Sequence, residues 1–493
     1  MKAIVIGAGI GGLGASIRLA NLGYEVTVFE ANNHVGGKMN NLQLGDWRFD
    51  MGPSVFTGPE YIQELFELCG EDFTSFHYKK LANSFTYFFP DGQHFKLPAN
   101  EVDLIATFER ELGEDPKVIR KYLKKSGDNY KAIAPLFIET SLHRWKGLIN
   151  KKLVKALSRL SKYKLNSTMN VENEATFKNP KTVQLFNRYA TYNGSDPYKT
   201  PAMLNMIQHL EMNEGVYLPE KGMVNIAHTL RGLAERQGVT FRFQEKVTAI
   251  NIQNDTIQNV TTAQGEYSAD VIVSNMDVAF TYEKLMPLAY RPIKTLQQEK
   301  SSSAMVFYWG IRKKFDQLGV HNMLFSPDYK SEFNALFDEH VLQSDPSIYI
   351  NITSKSIPTD APPDGENWFV MINVTINNGQ DWEEYRKQAR EKIIQVINRT
   401  LTTSIVDYIE QEFVMDPVFI EETYSGKAGS IYGNSSNNTY AAFNRHPNFS
   451  NKIKGLYFAG VTVHPGGGIP LALNSAKIAV ECLKQDTKRE KRS

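Results

Sequence analysis

The sequence predicts an α/β protein of two interleaved parts: a strand–helix–strand part returning in separate pieces of the chain, and an α+β part built from the segments between them. Three observations predict it. A short apolar run, AIVIG at residues 3–7, passes through a glycine cluster into a small-residue helix and then a second apolar run, all within about 30 residues. Far downstream, a helix, strand-like runs and a buried strand, ADVIVSN at 269–275, read as a continuation of the same part. Near the C-terminus, the strand GLYFAG is followed by a glycine loop and a helix. A chain of 493 residues also exceeds what one core usually supports.

AIVIG is bounded by glycine and rich in β-branched residues, as a buried strand is. GAGIGG then sets Gly7, Gly9 and Gly12 in Gly-x-Gly-x-x-Gly register, with Ile10 and Gly11 between. The helix LGASIRLANLG ends at Gly23, and YEVTVFE forms a second strand ending at Glu30. In such a unit Gly7 permits the tight turn, Gly9 lets the backbone approach a pyrophosphate, and Gly12 lets helix and strand pack closely. The pyrophosphate sits at the positive end of the helix dipole. Glu30 is placed to accept hydrogen bonds from a ribose 2′-OH and repels a 2′-phosphate, which disfavours NADP. Both NAD and FAD contain ADP, so the unit alone leaves that choice open. The continuation adds Gly36, Gly37 and Lys38, then Asp50, Gly52 and Pro53.

In the middle of the chain, a helix is expected at about 223–236, followed by the strand-like runs VTFRF, KVTAINI and NVTTA as a meander. The segment 81–213 reads as largely helical, and 291–414 carries the sheet-forming runs AMVFYWGI, PSIYINI and NWFVMINV. The expected division is therefore 1–80, 214–290 and 415–493 for the nucleotide-binding part, with 81–213 and 291–414 for the substrate part. In the last piece, Pro470 suits the first turn of a helix. The glycines before it leave N–H groups and the helix dipole facing whatever fills the loop. The charged end KQDTKREKRS is expected to fray.

Net charge is +1, which gives no basic field for nucleic acid. Two cysteines are too few for a disulfide scaffold or a cysteine metal cluster, and no metal is expected. Glycine spacing argues against reading the apolar N-terminus as a secretory signal. No apolar run reaches about 18 residues, so no spanning helix is expected. One segment does suit a membrane surface: SLHRWKGLINKKLVKALSRLSKYKL, residues 141–165. Leu142, Trp145, Ile149, Leu153, Leu157 and Leu160 mark one helical face, and eight cations, among them Arg144, Lys151, Lys152, Lys155 and Arg159, accompany them without one acid. This reads as an amphipathic helix lying in an anionic membrane, with Trp145 at headgroup level. A core-packed helix with a solvated outer face is the alternative.

EANNHVGGKMN and FDMGPS resemble segments of the glutathione-reductase-type FAD enzymes with an amine-oxidase-like fold. The resemblance implies FAD, held by a Rossmann-like domain interleaved with an α+β substrate domain. It narrows, nearly end to end, to the bacterial phytoene-desaturase type of carotenoid desaturase, through FDMGPSV, YNGSDPYKTPAMLNMIQHLEMNEGVYLPEKGM, HNMLFSPDYKSEF, SIPTDAPPDGENWFVMINV, GKAGSIYG and GLYFAGVTVHPGGGIP. Within that family it is most similar to the hydroxycarotenoid 3,4-desaturases; phytoene or dehydrosqualene desaturases and terminal oxygenases share these motifs. Departures are Lys38 for a common arginine, Val463 for a common threonine, and Glu220-Lys221 for two small residues.

The resemblance implies cofactor contacts from Gly37, Lys38, Gly52, Pro53, Ser54, Val55, the backbone of Val247, Gly460, Gly467, Gly468, Ile469 and Pro470, in addition to the first glycines and Glu30. Asn275 lies close to the cofactor or is a turn residue after its strand. The isoalloxazine is expected against bare backbone at 466–469. The implied activity converts a C–C single bond beside a polyene into a double bond, with hydride passing to flavin and oxygen or a quinone as final acceptor. A carotenoid is dissolved in bilayer, so a cytoplasmic enzyme peripheral on the inner face of the cell membrane is implied. No catalytic acid or base is assigned: His464, Tyr192 and Arg188 are candidates, and a structural role is the more ordinary reading of each. An amine or porphyrinogen oxidase, and a non-catalytic prenyl-binding protein of the GDP-dissociation-inhibitor type, are the rivals.

Overall fold

A computed structural model of the chain describes residues 1–144, 166–438 and 441–490. Its first sheet is five-stranded and wholly parallel, in the order Leu456–Phe458, Val271–Ser274, Lys2–Ile6, Glu25–Phe29, Thr240–Arg242. The strands come from three distant stretches of sequence. Parallel pairing needs crossover connections, and the helices that make them cover the sheet. The helix Ile10–Asn21 is enclosed by Val224–Arg236 and Ile469–Glu490, so that residues 10–19 are all buried. Gly14 allows the closest approach: a Cβ there would lie 3.2 Å from Leu473 and 3.3 Å from Ala476. The opposite face carries an antiparallel meander, Val247–Gln253, Thr256–Thr262 and Gly265–Ser268, whose Val247, Ile250 and Val260 pack on Ile4, Ile6 and Phe29.

The second sheet has seven strands, in the order Ile409–Met415, Ser303–Ile311, Glu366–Val374, Ile348–Asn351, His321–Leu324, Asn83–Phe88, His94–Pro98. Only the pairing of His321–Leu324 with Asn83–Phe88 is parallel. All nine residues of Ser303–Ile311 are buried, which is why the sequence there shows an unbroken apolar run instead of alternation. The period of two still sorts them. Met305, Phe307, Trp309 and Ile311 pack with Ile393, Val396 and Ile397 of the helix Trp382–Leu401, while Ala304, Val306 and Tyr308 join the core on the other side. That other core is closed by helices Glu101–Leu112, Pro116–Phe137, Met169–Thr176 and Pro180–Asn187. Each begins at a side-chain cap, from Asn100, Asp115, Thr168 and Asn179 respectively.

Four expectations are corrected. VTFRF does not start the meander: Thr240–Arg242 pairs with Glu25–Phe29 as the edge of the parallel sheet, and Gly265–Ser268 supplies the third meander strand. The largely helical segment also contains Asn83–Phe88 and His94–Pro98, which extend the second sheet. The final helix runs through Glu490 instead of fraying from 484, because Asp486 is tied down by Arg144 and by the Tyr457 hydroxyl, 2.8 Å away. Arg144 itself does not face lipid. It makes a two-armed bond of 2.8 and 2.7 Å to Asp486 and lies 4.0 Å over the Phe449 ring. The rest of the basic segment, with Trp145, Lys151, Lys152, Lys155 and Arg159, lies outside the described residues. Among the described residues no helix is long and apolar enough to cross a membrane.

Candidate active site

The first strand stops at Ile6, and Gly7 turns the chain at φ +94°, a conformation that only glycine adopts without strain. The helix begins at Ile10 with Gly9 as its uncapped N-cap, which leaves its N–H groups facing the space in front of the sheet. Asn275, at the end of the fourth strand in chain order of that sheet, fills the gap between the loops. Its amide donates to the Ala459 carbonyl at 3.0 Å, and its backbone N–H to Ile6 at 2.8 Å. A Cβ on Gly9 would come 2.6 Å from Asn275 Oδ1, one on Gly11 2.6 Å from Nδ2, and one on Gly460 2.5 Å from Nδ2. Three of the glycines therefore make room for this one amide, and Gly12 makes room for the Gly7 carbonyl. The sequence motif has a protein-packing reason besides any ligand.

Glu30 ends the second strand and is buried. Its two oxygens accept from the N–H groups of Ala8, at 2.7 Å, and Asn32, at 2.9 Å, so the glycine loop fixes the carboxylate. A cavity of about 550 Å³ runs from Glu30 across the loops and on between the two sheets. It is lined by Gly7, Gly9, Ile10, Gly11, Glu30, Gly37, Lys38, Gly52, Pro53, Ser54, Val55, Val247, Asn275, Gly460, Gly467, Gly468, Ile469 and Pro470. Gly12 is not on the wall; it lies beneath the turn. Beyond the loops the wall becomes apolar, with Val306, Met323, Phe369 and Met371 from the second sheet facing Leu204, Ile207, Leu210 and Phe137 from the helical insertion.

The glycine run near the C-terminus divides by neighbour. A Cβ on Gly466 would lie 3.3 Å from the Arg445 guanidinium, and one on Gly467 would overlap the Tyr432 ring. Only at Gly468, with φ +106°, would a Cβ meet no protein atom within 4 Å. Two of the three glycines thus accommodate protein side chains, and the third opens on the cavity. Arg445 and Tyr432 also line it; Tyr432 falls within the GKAGSIYG segment, and Arg445 belongs to no motif that would single it out in the sequence.

Buried charge collects at this end. Arg445 is 3% exposed, donates to the carbonyls of Asn434 and Tyr432 at 2.8 and 3.2 Å, and pairs with no carboxylate among the described residues; burial pulls its pKa down to about 10. Lys38 donates to the Ile431 carbonyl at 2.5 Å, and burial lowers its pKa to about 8 against the pull of Asp277. Unpaired buried cations are costly unless a negative partner arrives. A cavity with a glycine cradle, a fixed carboxylate and two such cations fits a dinucleotide bearing a diphosphate.

The three candidates for acid–base work separate. Arg188 and Tyr192 line the cavity, but both are committed to Glu211, at 2.9 and 2.5 Å. His464 does not reach the wall: its Nε2–H donates to the Thr140 carbonyl at 2.9 Å, and burial holds its pKa near 3, so it is a neutral structural residue.

The chain belongs to the flavin-containing amine oxidoreductase family, whose model matches residues 10–484. It is an FAD-dependent oxidoreductase, and its fold is that of the FAD-binding, Rossmann-like enzymes of amine-oxidase type. Cyclohexylamine oxidase from Brevibacterium oxydans superimposes with a TM-score of 0.63 at 15% identity, over 99% of each chain. Two relatives are nearer in sequence. The chain is 46% identical to the 1-hydroxycarotenoid 3,4-desaturase of Flavobacterium sp. (strain P99-3), over 98% of this chain and 99% of that protein. It is 31% identical to the phytoene desaturase of Phycomyces blakesleeanus, over 96% of this chain and 84% of that protein.

Proposed function

We propose that this protein is a carotenoid desaturase that dehydrogenates the 3,4 bond of a 1-hydroxycarotenoid. The observation that carries the reading is the 46% identity, along almost the whole of both chains, to an enzyme of that name. The cavity supports it, because a dinucleotide cradle continues without a break into an apolar chamber of the kind a polyene needs. Bound FAD supplies the hydride acceptor. In this reading Glu30 takes the ribose hydroxyls, the loops at Gly9, Gly37 and Gly52 follow the diphosphate and ribitol, and Gly468 to Pro470 meet the flavin ring. The walls formed by Val306, Phe369 and Met371 keep the reacting carbons in line and water out.

The parallel-sheet pieces, 1–80, 214–290 and 415–493, form the FAD part, and 81–213 with 291–414 the substrate part. Substrate comes from the bilayer through the basic segment at 141–165, at the inner face of the cell membrane. Phe137 and Ile138, on the cavity wall, lie a few residues before that segment in the chain, which supports this route. In this reading the final electron acceptor would be oxygen or a quinone.

The test is anaerobic. Purified enzyme should lose its flavin colour on addition of a 1-hydroxycarotenoid but not of amines, and the product should be lighter by two hydrogens. A protein that binds no FAD, or binds it without ever bleaching, would return the prenyl-binding reading. The 31% identity to a phytoene desaturase supports a second reading within the class, and expression in bacteria making defined carotenoids separates the two by product mass.

A further inference from the structure

One hydrogen-bonded chain leads from the cavity wall into the protein. Ser54 Oγ lies 2.9 Å from the Tyr349 hydroxyl, and that hydroxyl lies 2.7 Å from His321 Nδ1. Ser54 and Tyr349 line the cavity; His321 lies behind them and is 1% exposed.

The direction of the bonds follows from the neighbours. Asn351 turns its side-chain nitrogen to the Val320 carbonyl at 3.0 Å, which can only accept, so the amide orientation is fixed. The same nitrogen lies 3.2 Å from His321 Nδ1. An amide nitrogen offers only hydrogens, so Nδ1 is the bare, accepting nitrogen of a neutral imidazole. Tyr349 must then donate to Nδ1, and its own oxygen accepts from Ser54. The chain has one polarity, Ser54 to Tyr349 to His321. At its cavity end the lone pairs of Ser54 Oγ have no donor among the described residues.

Phe85 stacks on His321 with ring centroids 5.2 Å apart, and His321 Nε2 is buried without a partner. The charged group that bears on the ring is Arg188, itself paired with Glu211. Burial, and then Arg188, push the imidazole pKa down to about 3, so bulk water does not fill Nδ1 at neutral pH.

We propose that Ser54, Tyr349 and His321 form the path by which the proton released in desaturation leaves the substrate. The inference rests on the desaturase reading. Desaturation removes a hydride, for which bound FAD would be the acceptor, and leaves a cation beside the polyene. The adjacent C–H bond then breaks, and its electron pair becomes the second bond of the new C=C. The proton passes to Ser54 Oγ as the Ser54 hydrogen moves to Tyr349 and the Tyr349 hydrogen to His321 Nδ1. A polyene-stabilised carbocation is a far stronger acid than an imidazolium of pKa 3, so even this weak base suffices. Repulsion from Arg188 returns the proton along the same path once product leaves and water enters. Ser54 is the catalytic residue of the three; Tyr349 and His321 are positioning residues that act through it.

The experiment uses FAD-loaded Ser54→Ala, Ser54→Thr and Tyr349→Phe, with substrate deuterated at the carbon that loses the proton. Positioned acid–base groups contribute about 10²- to 10⁴-fold. Ser54→Ala and Tyr349→Phe should lose at least 100-fold in kcat at a KM within about twofold of the parent. The isotope effect at the proton-losing carbon should rise, and Ser54→Thr, which keeps a hydroxyl, should recover rate. Independently of turnover, ¹⁵N-histidine spectra of the cofactor-free chain should show a neutral ring with a bare Nδ1 whose signal shifts in Tyr349→Phe, while the bare Nδ1 of His464 stays in place. Parental rates in both variants, or slower rates with an unchanged isotope effect, would overturn the path. Should Tyr349→Phe fail to fold, Ser54→Ala against Ser54→Thr decides. A parent enzyme that bleaches with no carotenoid would instead count against the desaturase reading.

Discussion

The guanidinium of Arg188 meets the carboxylate of Glu211 at 2.9 and 3.1 Å, with side chains 4% and 1% exposed. Glu211 also accepts from the hydroxyls of Tyr189 at 2.7 Å and Tyr192 at 2.5 Å, so one carboxylate organises this part of the cavity wall. Phe85 and Tyr189 lie over the guanidinium, 4.3 and 4.5 Å from their ring centroids. Breaking such a pair from one side leaves an uncompensated buried charge, at a cost of roughly 3–5 kcal/mol. Glu211→Ala should therefore unfold at correspondingly lower denaturant, and Glu211→Ala with Arg188→Met should regain much of the loss. Equal stability of the single and double variants would refute this.

The glycines give a second prediction. A Cβ on Gly12 collides with the Gly7 carbonyl, so Gly12→Ala should disturb both fold and cofactor binding. Gly468→Val places its side chain in open cavity at φ +106°, at a strain of about 1–3 kcal/mol. It should keep its far-UV circular dichroism and lose its yellow colour. Full FAD occupancy in Gly468→Val would remove this loop from the flavin site.

A third concerns pH. His446 donates Nδ1–H to the Pro447 carbonyl at 2.7 Å and accepts from the Tyr282 hydroxyl at 3.1 Å, so it is held neutral. Burial lowers its pKa from 6.5 to about 4. Between these values the unfolded chain binds the proton and the folded chain does not, so stability is present above pH 6.5 and falls as pH drops toward 4. The slope from this group is about 1.4 kcal/mol per pH unit. His321 and His464 act in the same sense, and Glu332, raised to about 7 by burial, in the opposite one. Comparing parent with His446→Gln isolates the group: the stability difference should shrink as pH falls from 6.5 to 4. A difference independent of pH would show that His446 does not titrate this way.

The fourth tests the membrane reading. Each cation near an anionic surface contributes about 1 kcal/mol. Reversing Lys151, Lys152, Lys155 and Arg159 to Glu should abolish flotation with anionic liposomes while leaving FAD bound. Arg144 is left intact because it holds Asp486. Flotation equal to that of the parent would return the segment to an ordinary solvated helix face.

The sequence by itself determined the strand–glycine–helix–strand unit from Lys2 to Glu30. Its turn, its helix start and its carboxylate lie within one short stretch, so their spacing is set by local backbone geometry. Through the family resemblance it also pointed to the loops at Gly37, Gly52 and Gly468, and these line the cavity. Burial on both faces hid the rest: Ser303–Ile311 is apolar throughout, so only its neighbours decide that Val306 faces the cavity and Phe307 the helix behind it. The tertiary structure alone decided that Asn275 is what Gly9, Gly11 and Gly460 make room for, and that Arg445 and Tyr432 stand behind Gly466 and Gly467. It alone brought Ser54, from the loop after the strand Trp47–Met51, to Tyr349 and His321 on two neighbouring antiparallel strands. These partners are far apart along the chain, and no spacing rule connects residues whose distance is set by how sheets pair and pack.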